Sequence, residues 1–152
     1  MAEYQGNNRQ SGQGQGQHRG HGGSGANLDT SQIVFSNIEA ELFNEIANKT
    51  AKTISNTQSR NANKSTQIRK FYDELCMWEE RVRLSPDKFA EHLPFIKMMN
   101  AKAAYANGRD LVDNNFNNLI EHCVKQVNTP QDLKTFKTFF EAFLGFLKRY
   151  RA

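Results

Sequence analysis

The chain has 152 residues, enough for one domain with an appendage, and carries a formal net charge of +4 at pH 7. This modest excess of cations favours an acidic partner but says little about the fold. No stretch is apolar enough to span a membrane, and two lone cysteines without CxxC spacing argue against a disulfide framework, so we expect a cytoplasmic protein in a reducing compartment.

The first predicted segment, residues 1–28, is a tail poor in apolar side chains. Eight of the ten glycines lie between Gly6 and Gly25, among glutamine, asparagine and arginine. Such a segment cannot bury enough apolar surface to offset the entropy lost on ordering, so we predict a disordered tail. Without an apolar run it does not resemble a signal peptide. Loose contact with RNA and a merely solubilising role both remain open for it.

Helix signals follow one another from residue 29 to residue 152, and we find no strand pattern. Asp29 to Ser31 can cap a first helix, whose predicted core positions are Val34, Ile38, Leu42, Ile46 and Ile54. The polar residues 55–65 predict a connector. A second helix, in which Ser65 or Thr66 can cap, runs to about Leu84 and buries one face: Ile68, Phe71, Tyr72, Leu75, Trp78 and Val82.

Prolines and cap residues divide the middle of the chain. Ser85 and Pro86 predict the start of a short helix. Pro94 is expected to separate that helix from the next, because proline is poorly tolerated inside a helix. The next helix is expected to end at Gly108 in the left-handed conformation.

Two further helices complete the prediction. One runs from about Asp110 to Val127, and the sequence TPQD at residues 129–132 begins a final helix that lasts to about Arg151. The chain is therefore predicted to be all-α, a compact bundle of five or six helices at residues 29–152 behind the disordered tail.

Two cations lie where a bundle does not require them. Lys102 falls on the apolar stripe of its predicted helix, whose other members are Phe95, Met98, Met99, Tyr105 and Ala106. A lysine there must extend its ammonium to solvent, pair with an acid or meet an anion. Arg109 follows the predicted cap at Gly108, where a cation offsets the helix dipole and can also project outward.

The last helix is more apolar than a surface helix requires. Five of the eleven phenylalanines lie after residue 130. Phe139, Phe146 and Tyr150 widen the apolar arc beyond the ~100° of a surface helix. Either this helix is the central one of the bundle, or these three residues pack on another chain, and we take them as candidate protein-interface residues.

Arg69 and Lys70 flank the apolar stripe of the second helix and point away from the core. Arg69 can pair with Asp73, and Lys70 with Glu74, at the i,i+4 spacing. Such pairs stabilise a helix by only about 0.2–0.5 kcal/mol. The residues alone leave a solvated face as the alternative to an anion-binding role.

Catalytic chemistry has little support in the sequence. Glu79 and Glu80 are adjacent and therefore diverge around a helix, and the histidines and cysteines have no metal-ligand spacing. We find no phosphate-binding glycine loop and no nucleophile motif. We therefore expect no enzyme activity, no metal and no cofactor.

Three segments, taken together, resemble a known family. They are TQIRKFYDEL at residues 66–75, KMMNAKAAYANGR at 97–109 and FKTFFEAFLGFLK at 136–148. Their order and spacing are similar to those of the small subunit of the type III-A CRISPR effector, the Csm complex. The resemblance covers roughly residues 30–150 and leaves out the tail.

The resemblance implies a non-catalytic helical subunit, several copies of which line up beside the backbone subunits that hold the guide RNA. Its partners would be the target RNA and its duplex with the guide, the backbone and large polymerase-like subunits, and further copies of itself. Because phosphate contacts position a nucleic acid without specifying its sequence, cations on rigid helices are the candidate RNA-binding residues. These are Arg69, Lys70, Lys102 and Arg109, followed by Lys64 and Lys97.

Two other interpretations remain open. A purely structural helical adaptor would dock its aromatic last helix on a protein and make no RNA contact. A small DNA-binding regulator would use ANGRDL, residues 106–111, as the turn of a helix–turn–helix, although the helix that follows is rich in asparagine and acids.

Overall fold

A computed structural model of the protein describes residues 27–151, which contain six α-helices and no strand. The helices, numbered in chain order, are α1 Ala47–Ser55, α2 Ser65–Leu84, α3 Phe89–Lys97, α4 Met99–Gly108, α5 Asn114–Lys125 and α6 Pro130–Tyr150. A π-helical turn, Leu42–Ile46, leads into α1, and a 3₁₀ turn, Pro86–Lys88, precedes α3. The predicted all-α bundle is thus confirmed. The predicted tail lies, up to residue 26, outside the described residues.

Helix α6 is the central helix of the bundle. It packs against α1, α2 and the π-helical turn. Its buried side chains on this surface are Leu133, Phe136, Phe139, Phe140, Phe143 and Leu147. Helix α6 begins where the sequence predicts, with a capping box. Thr129 Oγ1 accepts a hydrogen bond from the Asp132 N–H at 3.1 Å, and Asp132 Oδ2 accepts from the Thr129 N–H at 3.0 Å. No helix within residues 27–151 is long and apolar enough to cross a bilayer.

The three candidate interface residues of α6 have different environments. Phe139 is fully buried, with its ring 6.3 Å from that of Phe35, so its assignment to a protein interface is wrong. Phe146 is half-buried against the core. Tyr150 is 38% exposed, and its hydroxyl donates to Asn48 Oδ1 at 2.6 Å. Within this set, only Phe146 and Tyr150 retain surface that a partner could contact.

Phe139→Ala is expected to lower the free energy of unfolding by about 3–5 kcal/mol, because it removes a fully buried ring and leaves a cavity. Tyr150→Ala is the matched variant on the same helix, and it should cost only about 1 kcal/mol, since it loses mainly one hydrogen bond. Urea unfolding followed by circular dichroism measures both. Equal losses for the two variants would contradict the burial of Phe139.

The first predicted helix begins later than expected. Residues 27–41 are irregular, with Ile33 buried and the predicted core residue Ile38 46% exposed. The side chain of Gln126, directly after α5, bonds to backbone groups that a helix would have used. Gln126 Nε2 donates to the Ile33 carbonyl at 2.8 Å, and Gln126 Oε1 accepts from the Phe35 N–H at 2.9 Å. Val34, also predicted to face the core, is 37% exposed for the same reason.

Asp29 forms a local turn instead of a helix cap. Its Oδ1 accepts from the Ser31 N–H at 2.9 Å. Hydrogen bonds from the Ser31 hydroxyl and N–H lower the pKa of Asp29 below its usual value. At α2 the predicted cap is also displaced, because Lys64 occupies the N-cap position and makes no side-chain cap bond.

Three other boundaries differ from the prediction. Pro94 lies inside α3, which continues to Lys97 because the Met98 N–H still reaches the Pro94 carbonyl at 3.2 Å. The left-handed residue after α4 is Asp110, with φ 57°, and not Gly108. Helix α5 begins at Asn114, because the Asp113 side chain accepts from the Phe116 N–H at 2.9 Å and caps it there.

Asn63 joins the loop before α2 to the loop between α4 and α5. It is fully buried with φ 58°, and its N–H donates to the Leu111 carbonyl at 3.0 Å. Its Nδ2 donates to the Ile54 carbonyl at 3.1 Å, and its Oδ1 accepts from the Asp113 N–H at 2.9 Å. The Asn63 side chain therefore connects α1 to the N-cap of α5, and its backbone N–H adds a bond to the loop after α4.

Candidate nucleic-acid interface

A groove between α2 and α4 brings together three of the predicted RNA-binding cations. Lys70 lies on α2, Lys102 on α4, and Arg109 directly after α4, around a space of about 310 Å³. Buried Phe71 and Ala106 contribute apolar atoms to the lining. We call this the α2–α4 groove. Its cations come from segments more than thirty residues apart in sequence, and the tertiary fold, with the Lys102–Glu74 ion pair between the two helices, makes them neighbours.

The acid that lines the α2–α4 groove is already neutralised. Lys102 Nζ donates to Glu74 Oε1, and the Trp78 indole N–H donates to the same oxygen at 3.4 Å. The Glu74 side chain is 16% exposed and that of Lys102 is 51% exposed. The ion pair with an acid on α2 explains why Lys102 lies beside apolar residues on α4.

Lys70 does not form the predicted pair with Glu74, because Lys102 takes that carboxylate. Within residues 27–151, no carboxylate lies within ion-pair distance of Lys70. The residue is exposed at the edge of the groove. Its ammonium is therefore available to an anion.

Arg109 is held over a tyrosine ring. Its Nη1 donates to the Tyr105 hydroxyl at 3.0 Å, and its guanidinium carbon lies 5.6 Å from the centre of the Tyr105 ring. A cation above an aromatic face is attracted by the ring quadrupole. Both residues are exposed, so the guanidinium is positioned by this contact without being buried by it.

The apolar stripe predicted around Lys102 is divided in two by the fold. Met99 and Ala106 face the core, as predicted. Phe95, Met98 and Tyr105 do not, since they are 55%, 50% and 65% exposed. The outward-facing residues recur at intervals of three and four along α3 and α4: Phe95, Met98, Lys102, Tyr105 and Arg109. We call this the outer face of α3–α4.

Arg69 lies on the other side of α2. Its Nε is 4.0 Å from Asp73 Oδ1, the predicted partner, and both side chains are largely exposed. Across from it, Lys148 and Arg151 of the C-terminal region line a second groove, which we call the α2–α6 groove. Adjacent residues on a helix point about 100° apart, which is why Arg69 and Lys70 enter different grooves.

The α2–α6 groove contains cations that sequence reasoning did not select. Lys148 was present in the third matching segment, and its position in the last turn of α6 is an ordinary signal for a helix C-terminus. The guanidinium of Arg151 is already engaged within the protein, because its Nη1 donates to the carbonyls of Ala62 and Asn63. Tyr72 lines the adjoining surface, and burial together with a hydrogen bond to the Cys76 thiol raises the pKa of Tyr72 to about 12, so the phenol is neutral at pH 7.

Two predicted cations fall outside both grooves. Lys64 is exposed at the N-cap of α2. Lys97 Nζ donates to the Val124 carbonyl at 3.0 Å, at the C-terminal end of α5. That carbonyl also accepts from the Val127 N–H at 3.1 Å, and a cation at this helix end offsets the dipole, so Lys97 has a structural contact.

The described part of the chain groups no metal ligands, and its buried thiol, Cys123, is not placed to react. Within residues 27–151, no three side chains of His, Cys, Asp or Glu are grouped as metal ligands. Cys123 is fully buried, and burial raises the pKa of its thiol. A protonated, inaccessible thiol does not act as a nucleophile.

Comparison with known proteins identifies one family. A family model described as Csm2 Type III-A matches residues 37–152. The match spans all six α-helices and hence both grooves. No curated protein matches the chain, and no solved structure matches it.

Proposed function

The chain belongs to the Csm2 Type III-A family and is a small subunit of a type III-A CRISPR complex, and from this premise we propose that its α2–α4 groove binds the target RNA. Family membership also implies association with the other Csm subunits. In our proposal the subunit is non-catalytic and helps to hold the guide–target duplex through contacts to the RNA backbone. The backbone subunits, the large polymerase-like subunit and further copies of the chain are its proposed neighbours.

The convergence of Lys70, Lys102 and Arg109 in one groove is the observation that carries this proposal. An RNA strand presents one negative charge per nucleotide, so cations held on rigid helices bind it at low entropic cost. Arg109 adds a planar fork of donors that matches a phosphate group. Charges of this kind contact the backbone of any sequence, and base pairing with the guide supplies specificity.

The chemistry of the groove supports a binding role in preference to catalysis. Glu74 is the acid that lines it, and this carboxylate is held by Lys102 and the Trp78 indole. An acid in that arrangement remains an acceptor and is not placed to take a proton from a substrate. The family itself is one of structural small subunits.

Glu74→Gln should strengthen RNA binding. The substitution releases Lys102 from its ion pair and removes the one negative charge that lines the groove, while the amide oxygen can still accept from Trp78. One added phosphate contact on a single strand steepens the slope of log K against log salt by about 0.7 and raises affinity about 5-fold at 0.1 M salt. Fluorescence anisotropy of a labelled oligonucleotide across a salt series measures both quantities.

Glu79→Gln is the matched control for this experiment. Glu79 also lies on α2, its side chain is 15% exposed, and it pairs with Arg83 at 3.6 Å, but it does not line the groove. It therefore makes the same change in net charge elsewhere. Equal gains in RNA affinity for the two variants would show that the affinity depends only on the net charge of the protein. A wild-type protein that binds no RNA, alone or in the complex, would instead favour the structural adaptor.

A further inference from the structure

We propose that Tyr105 stacks on an unpaired nucleobase of RNA held in the α2–α4 groove, so that the isolated subunit prefers single-stranded RNA with bases to the sugar–phosphate backbone alone. This inference rests on the proposed function. It adds a base-face contact to a site otherwise described by its cations, and it makes a prediction that phosphate contacts alone do not make.

The first observation is the exposure of the tyrosine. Tyr105 is 65% exposed, although its neighbour Ala106 faces the core, and its polar contact is with Arg109. Exposed aromatic rings gain free energy when another flat apolar surface covers them. Single exposed apolar residues are common on protein surfaces, so exposure alone does not indicate a ligand.

The second observation is that cations surround Tyr105. Along the outer face of α3–α4, apolar side chains alternate with cations: Lys102 precedes Tyr105 by three residues and Arg109 follows it by four. Lys70 lies across the groove. Sites for single-stranded nucleic acid combine these two elements, a positively charged groove for the phosphates and aromatic rings for the bases. A protein partner with an apolar surface would have to bury Lys70 and Arg109, neither of which pairs with a carboxylate within residues 27–151.

The third observation is that the ring is held in place. The hydrogen bond of 3.0 Å from Arg109 Nη1 to the Tyr105 hydroxyl ties the ring to the guanidinium, whose carbon is 5.6 Å from the ring centre. A positioned ring loses little side-chain entropy when a base covers it. The same contact keeps the positive charge of Arg109 beside the ring, where it is exposed to an anion.

Unpaired nucleotides, within or beside a guide–target duplex, are the part of a bound RNA on which this ring can stack. In a duplex, each base is covered on both faces by its neighbours, and no ring can stack on it without unstacking the helix. Unpaired bases can turn outward and stack on aromatic side chains or on arginine. Stacking is tolerant of sequence because every base has a flat face, so the contact agrees with sequence-independent binding.

The test compares an oligouridine with an abasic ribose–phosphate strand of equal length, both bound to the full-length protein at one salt concentration. Wild type should bind the strand with bases about 10-fold more tightly. Tyr105→Leu should remove that preference and leave the salt slope unchanged. Tyr105→Phe keeps the ring and should retain most of the preference. Because Tyr105 is exposed, all variants should show wild-type circular dichroism.

A spectroscopic readout complements the affinities. In Tyr105→Trp, the new indole should be quenched by the oligouridine and not by the abasic strand, above a constant signal from Trp78, which is only 8% exposed. Equal quenching by both strands would overturn the stacking contact.

The remaining outcomes are distinguishable. If wild type and Tyr105→Leu bind both strands equally and with the same salt slope, the stacking inference is wrong and the proposed function stands. If neither strand binds to wild type, both are wrong. If Tyr105→Leu leaves RNA binding intact but prevents incorporation into the complex, the outer face of α3–α4 docks on a protein subunit and the inference is again overturned.

Discussion

Asn63→Ala is expected to destabilise the folded domain by about 3–7 kcal/mol. The substitution leaves the buried Ile54 carbonyl and Asp113 N–H without their partners, each at a cost of about 1–3 kcal/mol. It also places alanine at φ 58°, which costs roughly a further 1 kcal/mol. Because a domain of this size is stable by only about 5–15 kcal/mol, such a loss is a large fraction of the total.

Two variants separate the causes of this loss. Asn63→Gly tolerates the left-handed backbone but lacks the side-chain hydrogen bonds, so it should recover only the conformational part. Asn61→Ala changes an exposed asparagine two residues earlier in the same loop and should have little effect. Urea unfolding at 25 °C measures all three. A loss for Asn63→Ala no larger than that for Asn61→Ala would contradict the role of Asn63 in joining the two loops.

Lys70→Gln combined with Arg109→Gln is expected to weaken single-stranded RNA binding about 25-fold at 0.1 M salt. Each phosphate contact contributes about −0.7 to the slope of log K against log salt, so removing two should flatten that slope by about 1.4. Lys102 is left in place because its removal would leave the Glu74 carboxylate unpaired in the groove. The loss should be similar for unrelated RNA sequences, because phosphate contacts carry no sequence information.

Arg69→Gln combined with Lys148→Gln is the matched control, since it removes the same charge from the α2–α6 groove. Both double variants change exposed side chains and should unfold at wild-type urea concentrations. A small effect of the control localises RNA to the α2–α4 groove. If the control weakens binding as much or more, the α2–α6 groove takes part, as the original choice of Arg69 from the sequence implies.

Local signals predicted the regular elements well. The TPQD sequence specified the capping box at Thr129 and Asp132, and the apolar face of α2 was identified at every buried position. The segment before α1 was not predictable in this way. Its apolar spacing resembles a helix, but hydrogen bonds from Gln126, more than ninety residues away in sequence, hold its backbone in an irregular path.

The candidate site shows the same division between local and long-range information. Charge and spacing identified Lys70, Lys102 and Arg109 as unusual cations, but their grouping follows from the tertiary fold, which places α2 and α4 on the two sides of one groove. The sequence paired Lys70 with Glu74 because they are four residues apart. The structure pairs Glu74 with Lys102, which is 28 residues away, and a pattern within one helix cannot contain that contact.

The apolar periodicity also could not show how much of a wide apolar arc is buried against other helices. Tyr105 and Ala106 were placed on the same stripe of the predicted helix, and only Ala106 is buried. For the last helix, the width of the arc indicated either a central helix or packing on another chain, and the burial of Phe139 places it centrally. For α4 the stripe was expected to face the core, and Tyr105 does not.

Photocrosslinking of target RNA in the reconstituted complex tests the central claim most directly. A target strand carrying 4-thiouridine would be bound to the assembled type III-A complex, irradiated and digested, and the crosslinked peptides of this subunit identified by mass spectrometry. We predict crosslinks to peptides that contain Lys70, Tyr105 or Arg109. Two results would contradict an RNA-binding role for the α2–α4 groove. In the first, target RNA crosslinks to the backbone subunits but not to this subunit. In the second, its crosslinks within this subunit are confined to α6.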